Sequence, residues 1–279
     1  MSQQREIKIG SCRLANDRPL AVVAGPCIIE SEKVTLRIAA ELAAVRRRLN
    51  VPLIFKCSYD KANRSSVDSY RGPGLARGLK VLRRVKSEFG LPLLVDVHSV
   101  GEVPRVAEVA DVLQVPAFLC RQTDLLLAAA RTGLPVNVKK GQFLSPWDAR
   151  LILKKAESIG HRDLFLTERG VSFGYNNLVV DMRSLEVLKS FGRPVIFDAT
   201  HSVQLPGGRG DSSGGQREFI APLARAAVAV GVAAVFFEVH PRPEHALSDG
   251  PNAVPLRELE PLLRRLLAID RVVKRFVNN

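Results

Sequence analysis

Short apolar runs alternate with longer amphipathic segments along the whole chain. The runs are "LAVVAG" at 20, "PLIFKC" at 52, "PLLVDV" at 92, "DVLQVP" at 111, "LPVNVK" at 134, "DLFLTE" at 163, "PVIFDA" at 194 and "AAVFFEV" at 233. Each is too short for a helix, and most lack strict in–out alternation, as expected of parallel strands covered on both faces. Between them lie helical patterns such as "SEKVTLRIAAELAAVRRRL", "GLARGLKVLRRVKSEF" and "REFIAPLARAAVAVG", and "PLRELEPLLRRLLAIDRVVKRF" follows the eighth run. Several close on Gly before the next strand, in the manner of C-caps. Eight strand–helix units predict an α/β protein, a (β/α)8 TIM barrel, with a doubly wound open sheet as the alternative. Residues 1–19, which include "EIKIGSCRLANDR", read as an N-terminal β-hairpin over the barrel floor, and the whole of 1–279 reads as a single domain.

In a barrel, chemistry gathers at the C-terminal ends of the strands. Polar residues gather there in this chain. The first run ends at Cys27, the second at Lys56 and Ser58, the third at Asp96 and His98, and the fourth reaches Gln114. The fifth ends at Lys139 and Lys140, the sixth at Glu168 and Arg169, the seventh at Asp198 and His201, and the eighth at Glu238 and His240. Lys56, Lys61, Arg64, Lys139 and Arg169 would converge on one mouth. Like charges repel in a dry site, so such a cluster suits anions: Arg forks grip phosphate or carboxylate, and Lys adds a point charge. The competing reading is a solvated rim of salt bridges.

Cys27, His201, Glu238 and Asp249 come from the first, seventh and eighth units, which adjoin in a closed barrel. A mixed set of sulfur, nitrogen and oxygen donors suits a divalent transition metal. Two other readings stand beside it: Cys27 as a small buried hydrophobe, and a Cys–His nucleophilic pair, for which no oxyanion-hole signature is present. Cys12, Cys57 and Cys120 read as structural. His161 and His245 do too, while His98 and His240 fall near the mouth.

Composition narrows the setting. The 279 residues are 46% apolar, enough to bury a large core, and no apolar stretch spans a bilayer. "MSQQREIKIG" lacks a signal-peptide core, so a cytoplasmic protein without a membrane partner is expected. Four cysteines without CxxC spacing do not make a disulfide framework. The formal net charge of +13 is large, but the basic residues are spread and aromatics are sparse. That argues against nucleic acid and for small anionic ligands. Two Gly-rich or polar loops, "SVQLPGGRGDSSGGQRE" after the seventh strand and "HPRPEHALSDGPNAVP" after the eighth, read as lids over the mouth.

The motifs "FKCSYDKANRSS", "SYRGPGL", "VPAFLCRQTDLL", "VNVKKGQF", "FGYNNLVVDM", "DATHSVQLPGG" and "EVHPRPEHALSDGPN" together resemble the 3-deoxy-D-manno-octulosonate 8-phosphate synthases, from Val22 to about Ile269. The resemblance implies a (β/α)8 barrel, usually a homotetramer, that condenses phosphoenolpyruvate with arabinose 5-phosphate and releases inorganic phosphate, on the route to the Kdo sugar of lipopolysaccharide. The related 3-deoxy-arabino-heptulosonate 7-phosphate synthases use erythrose 4-phosphate and typically carry Lys-Pro-Arg-Thr-Ser after the second strand. Here that place reads "KANRSS", the form of the five-carbon-sugar enzymes. A non-catalytic phosphosugar-binding barrel is a further alternative, opposed by the intact cation and ligand sets.

The same resemblance implies a metal-dependent class, which has Cys in the first-strand motif where the other class has Asn. It makes Cys27, His201, Glu238 and Asp249 the ligands of a divalent ion such as Zn, Fe, Mn, Co or Cd. It implies further that Lys139 and Arg169 hold the phosphoenolpyruvate phosphate near the backbone of Ala117. Lys61 and Ser58 face its carboxylate, with Lys56 and Gln114 close by. Asn63, Arg64 and Ser65 position arabinose 5-phosphate, and Asp96 lies near the reacting carbons. Lys61, Asn63, Asp96 and His201 form the expected catalytic group. Arg121 is expected to reach the sugar phosphate of an adjacent subunit.

Overall fold

Every one of the eight apolar runs forms a parallel strand in the computed structural model, which describes residues 4–64, 66–208 and 213–277. The strands are β1 (Ala21–Gly25), β2 (Leu53–Lys56), β3 (Leu93–Asp96), β4 (Val112–Val115), β5 (Val136–Lys139), β6 (Leu164–Glu168), β7 (Val195–Asp198) and β8 (Ala234–His240). Each pairs in parallel with the next, and β8 pairs with β1 over Ala234–Glu238 against Ala21–Gly25, closing the cylinder. This is a (β/α)8 barrel, and closure eliminates the open-sheet alternative. All strand residues are buried, which explains the missing alternation: the outward side chains lie under helices.

The helices are α1 (Glu32–Leu49), α2 (Leu75–Phe89), α3 (Val103–Ala107), α4 (Thr123–Arg131), α5 (Ala149–Glu157), α6 (Arg183–Lys189), α7 (Ile220–Val230) and α8 (Leu256–Val277). In α1 the Ser31 hydroxyl accepts from the Val34 amide at 3.2 Å, and the helix ends on Asn50 in the left-handed region. Basic residues Arg46 to Arg48 occupy its last turn, where they complement the helix dipole. Its stripe of Ile38, Leu42 and Val45 is buried in the shell between helices and strands.

The barrel interior changes character along its axis. The lower part is filled by Val23, Ile54, Leu94, Val112, Phe165, Ile196 and Phe236. A hairpin of Ile7–Ile9 against Cys12–Leu14 caps it from below, contributing Ile7, Ile9, Cys12 and Leu14 to the same cluster. The upper part is polar. Gly25 marks the transition: a Cβ there would lie 1.8 Å from the Lys56 carbonyl oxygen, so β1 and β2 approach closely just below the site.

The last helix locks the floor. Asp270 accepts from the amide of Leu20, the residue that enters β1, at 2.9 Å. The Lys274 ammonium donates to the carbonyls of Asn16, Gly231 and Val232 and stands 3.8 Å from Asp270. Burial pushes Lys274 down to about 8, against the partial counterweight of Asp270. The unfolded chain therefore holds this proton between pH 8 and 10.5 while the folded chain has released it, so this group's contribution to stability rises with pH across that window. Urea unfolding at pH 8.0 and 10.0 should show a Lys274→Met variant losing stability relative to wild type by a larger margin at pH 10.0. An unchanged margin would mean that the ammonium keeps its ordinary proton affinity in the fold.

Candidate active site

Inward-pointing residues of adjacent strands continue one hydrogen-bonded chain across the top of the barrel. Lys56 donates to the Ser58 hydroxyl at 2.9 Å, and that hydroxyl donates to Asp96. The Gln114 amide also donates to Asp96, Asn137 donates to Gln114 at 2.8 Å, and Thr167 donates to Asn137 at 2.8 Å. All six residues are buried. Burial raises Asp96, but the Lys56 and Lys61 ammonium groups outweigh it and hold the carboxyl well below its usual range. The chain fixes each rotamer before any ligand arrives.

Above it opens a cavity of about 390 Å³, a size suited to small metabolites. Its walls include Lys56, Lys61, Asn63, Arg64, Asp96, Gln114, Ala117, Lys139, Arg169, His201 and Asp249. The expected cations therefore do converge. Ser58, Cys27 and Glu238 do not line it: Ser58 bonds to Lys56, and Cys27 and Glu238 cluster with Asp249. Ser65 lies outside the described residues. Arg121 is exposed and does not line this cavity. His98 lines it, with its ring edge-on to Tyr59, whereas His240 faces Glu30 at 3.3 Å beside the cavity loop.

Strand pleating corrects the expectation that both polar residues at a strand end reach the mouth. Lys139 and Arg169 point in, but Lys140 and Glu168 turn outward and face each other at 3.5 Å. Lys140 donates to the Leu144 carbonyl, while Glu168 accepts from the Arg169 and Gly170 amides and from Ser184. This buried pair supports the turn that carries Gln142 and the backbone of Arg169.

Arg169 is held from two sides. Its Nη1 donates to Gln142 Oε1 at 2.5 Å, and its Nη2 donates to Gln204 Oε1 at 2.7 Å. Lys139 donates to Asp198 Oδ2 at 2.5 Å and sits 4.0 Å from the Phe236 ring centroid. Asp198 also accepts from the Thr200 and His201 amides, and from His201 Nδ1 at 2.8 Å. Burial raises Asp198, yet His201 and Lys139 outweigh it and keep the carboxyl well below its ordinary value.

With Nδ1 donating to Asp198, His201 turns Nε2 toward Glu238 Oε1, 3.6 Å away. Glu238 is fully buried, and neither carboxylate oxygen accepts a hydrogen bond among the described residues. Lys56 at 3.5 Å and Lys61 at 3.9 Å are its nearest ammonium groups. Ligand atoms of Cys27, Glu238 and Asp249 lie within 4.8 Å of one another. Cys27 Sγ donates to Asp249 Oδ2 at 3.0 Å and lies 2.8 Å from the Ser248 hydroxyl. Burial, and then Glu238, push the thiol well above its ordinary value. Asp249 moves the other way: burial raises it, but His201 and Lys61 outweigh burial and lower it. Of the four expected donors, Cys27, Glu238 and Asp249 come together, while the His201 imidazole stands beside Glu238 without joining that cluster, and both Glu238 oxygens are unpaired among the described residues. That donor set fits a divalent transition-metal ion.

The four cysteines are free and buried, as their spacing implied. Gln142, Gln204, Asn137, Thr167 and Ser248 complete the site without having been assigned to it from the sequence, and Asp198, expected at the seventh strand end, was given no role there. Asp198 had a signal, since an Asp three residues before a strand-end His can orient its ring. A solitary Gln carries none.

This barrel, with its polar upper layer and cation-lined mouth, belongs to the DAHP synthetase I family, whose model matches residues 2–274. Within it, the chain is 60% identical over 270 residues to the 2-dehydro-3-deoxyphosphooctonate aldolase of Geobacter metallireducens, covering 97% of this chain and 99% of that protein. It is 62% identical to the protein of that name from Pelobacter propionicus and 59% identical to that from Trichlorobacter lovleyi, with the same coverage in both. That name denotes the 3-deoxy-D-manno-octulosonate 8-phosphate synthases, so these relatives bear out the resemblance carried by the motifs. No helix among the described residues is long and apolar enough to cross a membrane.

Replacing Asp198 by Asn puts an amide donor against Lys139 and His201. Breaking a buried ion pair on one side costs about 3–5 kcal/mol. Denaturant unfolding should show Asp198→Asn destabilised on that scale, with Lys139→Met added to it recovering part of the loss. No recovery in the double variant would show that the two side chains are not energetically coupled.

Proposed function

We propose that this chain condenses phosphoenolpyruvate with D-arabinose 5-phosphate and water, giving 3-deoxy-D-manno-octulosonate 8-phosphate and inorganic phosphate. The observation that carries the reading is the cation ring, Lys56, Lys61, Arg64, Lys139 and Arg169, around one cavity in a chain whose relatives bear the name of this enzyme. Two phosphates and a carboxylate match such a ring in charge. The "KANRSS" segment favours the five-carbon sugar over erythrose 4-phosphate.

The reaction forms a bond from C3 of phosphoenolpyruvate to the aldehyde carbon, whose oxygen takes a proton. Positive charge develops at C2, water adds there and gives up a proton, and the C2–O bond to phosphate then breaks as the new hydroxyl becomes the ketone carbonyl and passes its proton to the departing phosphate. Lys139 and Arg169 grip the phosphoenolpyruvate phosphate near the Ala117 backbone. Lys61 and the Ser58–Lys56–Gln114 group hold the carboxylate. Asn63, Arg64 and Ser65 hold the sugar phosphate end, and Asp96 stands beside the reacting carbons, where its negative charge stabilises the developing cation. Holding both substrates at contact in a dry cavity supplies much of the rate by positioning and preset electrostatics.

Cys27, His201, Glu238 and Asp249 would hold a divalent ion, for which Zn, Fe, Mn, Co and Cd are all chemically suited. When bound, the ion supplies a positive centre that orients the sugar and the water and stabilises negative charge on oxygen. The unpaired oxygens of Glu238 support this reading, because leaving buried carboxylate oxygens without donors is costly. Cys27 would give up its thiol proton to act as a ligand.

A homotetramer is part of the proposal. Phe118, Phe143, Trp147, Phe173 and Tyr175 are exposed on the loops after β4, β5 and β6, where Ser172 donates to the Gln142 carbonyl and so ties two of those loops together. Large exposed aromatics on adjoining loops suit a protein contact. Arg121, on the loop after β4, then reaches a neighbour's sugar phosphate. Phosphorylated substrates of this kind place the enzyme in the cytoplasm.

Phosphate release from phosphoenolpyruvate should require arabinose 5-phosphate, vanish with a strong chelator and return with Mn2+; the Cys27→Ala variant should not be rescued at wild-type metal concentration. Turnover with erythrose 4-phosphate instead would move the chain to the heptulosonate reaction. Full activity in the chelator would remove the ion from the proposal.

A further inference from the structure

One side chain touches both halves of the site. Gln204 follows the short helical turn His201–Val203, and its backbone pairs with Gly215 in a two-residue antiparallel ladder. Its amide oxygen accepts from Arg169 Nη2 at 2.7 Å, and its amide nitrogen donates to Asp249 Oδ1 at 3.1 Å. Arg169 belongs to the phosphate grip and Asp249 to the ion site. The other oxygen of Asp249, Oδ2, accepts from Cys27 and Ser248. Each carboxylate oxygen thus has its own donor.

The chemistry requires a group that both accepts and donates, which a carboxamide does. A guanidinium offers donors alone and an ionised carboxylate acceptors alone, so the bridge between them must present an acceptor on one side and a donor on the other. A carboxylate at this position would repel Asp249, and an ammonium would repel Arg169. The amide orientation is fixed by the same logic, since a flipped Gln204 would set donor against donor and acceptor against acceptor.

Asp249 has reason to be steered. Its backbone lies in the left-handed region at φ 49°, a conformation that Asp tolerates but that costs energy. The main chain there is held independently: the Asp249 carbonyl accepts from the Asn252 and Ala253 amides, and Arg217 donates to the Gly250 carbonyl. The backbone position therefore does not depend on Gln204, whereas the carboxylate's rotation does. Arg169 has a second amide, Gln142, on its other terminal nitrogen. Gln142 supports the guanidinium and makes no hydrogen bond to Asp249.

We propose that Gln204 is a positioning residue that ties the phosphate-gripping arm of Arg169 to the Asp249 carboxylate, setting the phosphate site and the ion site through one amide. The inference rests on the reading of Cys27, His201, Glu238 and Asp249 as ion ligands. Loss of the amide loosens both sites, and loss of Gln142 loosens the phosphate site alone.

The experiment compares wild type, Gln204→Met and Gln142→Met, each stripped of metal and checked for an unchanged circular dichroism spectrum. Co2+ affinity is read by chelator competition, following the thiolate-to-cobalt absorption band. Phosphoenolpyruvate affinity is read by calorimetry on the metal-free protein. Orienting partners of metal ligands typically contribute 10–100-fold in affinity, so Gln204→Met should bind Co2+ about tenfold more weakly, with the thiolate band kept, and should also bind phosphoenolpyruvate more weakly. Gln142→Met should weaken phosphoenolpyruvate and leave Co2+ unchanged. Wild-type Co2+ affinity in Gln204→Met, or equal loss of Co2+ in both variants, would overturn the role of Gln204. A wild-type protein without the thiolate band, or a Cys27→Ala variant that retains it, would overturn the ion site itself and the inference with it, and is a distinct result.

Discussion

The Glu238 carboxylate is the constraint around which the upper barrel is arranged. It is fully buried, it accepts no hydrogen bond among the described residues, and it faces Lys56, Lys61 and His201. A buried charge persists only where neighbouring charges offset the loss of water. Asp198 extends the offset by accepting a hydrogen bond from His201 Nδ1 and pairing with Lys139. Asp96 does the same for Lys56 across the Ser58 hydroxyl. Cations and carboxylates are thus interleaved around a cavity suited to anionic ligands.

The fold supplies the rigidity that this arrangement demands. Hydrogen-bonded strands with alternating side chains direct Lys56, Asp96, Gln114, Asn137, Lys139 and Thr167 inward in the upper part of the barrel. Below that level the interior is apolar and closed by the hairpin, so the polar layer stands on packed Phe165, Phe236 and Ile196. Division of labour along one axis, stability below and chemistry above, is the general habit of this architecture. Gln204 and Arg217 fasten the loop after β7 to the loop after β8.

The barrel was legible in the sequence because eight doubly buried strands leave eight unbroken apolar runs, each followed by a polar strand end. The candidate donors stood out because Cys, His, Glu and Asp at those ends are unusual in combination, and three of them, Cys27, Glu238 and Asp249, do cluster. What stayed hidden was direction and partnership. Lys139 and Lys140 are adjacent and chemically alike, yet pleating sends one into the cavity and the other to Glu168 behind it. Gln142 and Gln204 are ordinary residues in sequence, and their meaning comes from the guanidinium between them, which belongs to a distant strand end. Interactions across such separations are set by three-dimensional closure, so local spacing does not carry them.

The central claim is that the charge held by Glu238, Asp249, His201 and Cys27 is completed by a metal ion with a sulfur ligand. X-ray absorption on the zinc-reconstituted protein tests it most directly. The account predicts one sulfur scatterer at about 2.3 Å together with nitrogen or oxygen neighbours at about 2.0–2.2 Å. A shell of oxygen and nitrogen alone would contradict it, leaving Cys27 a packed thiol and Glu238 without its partner.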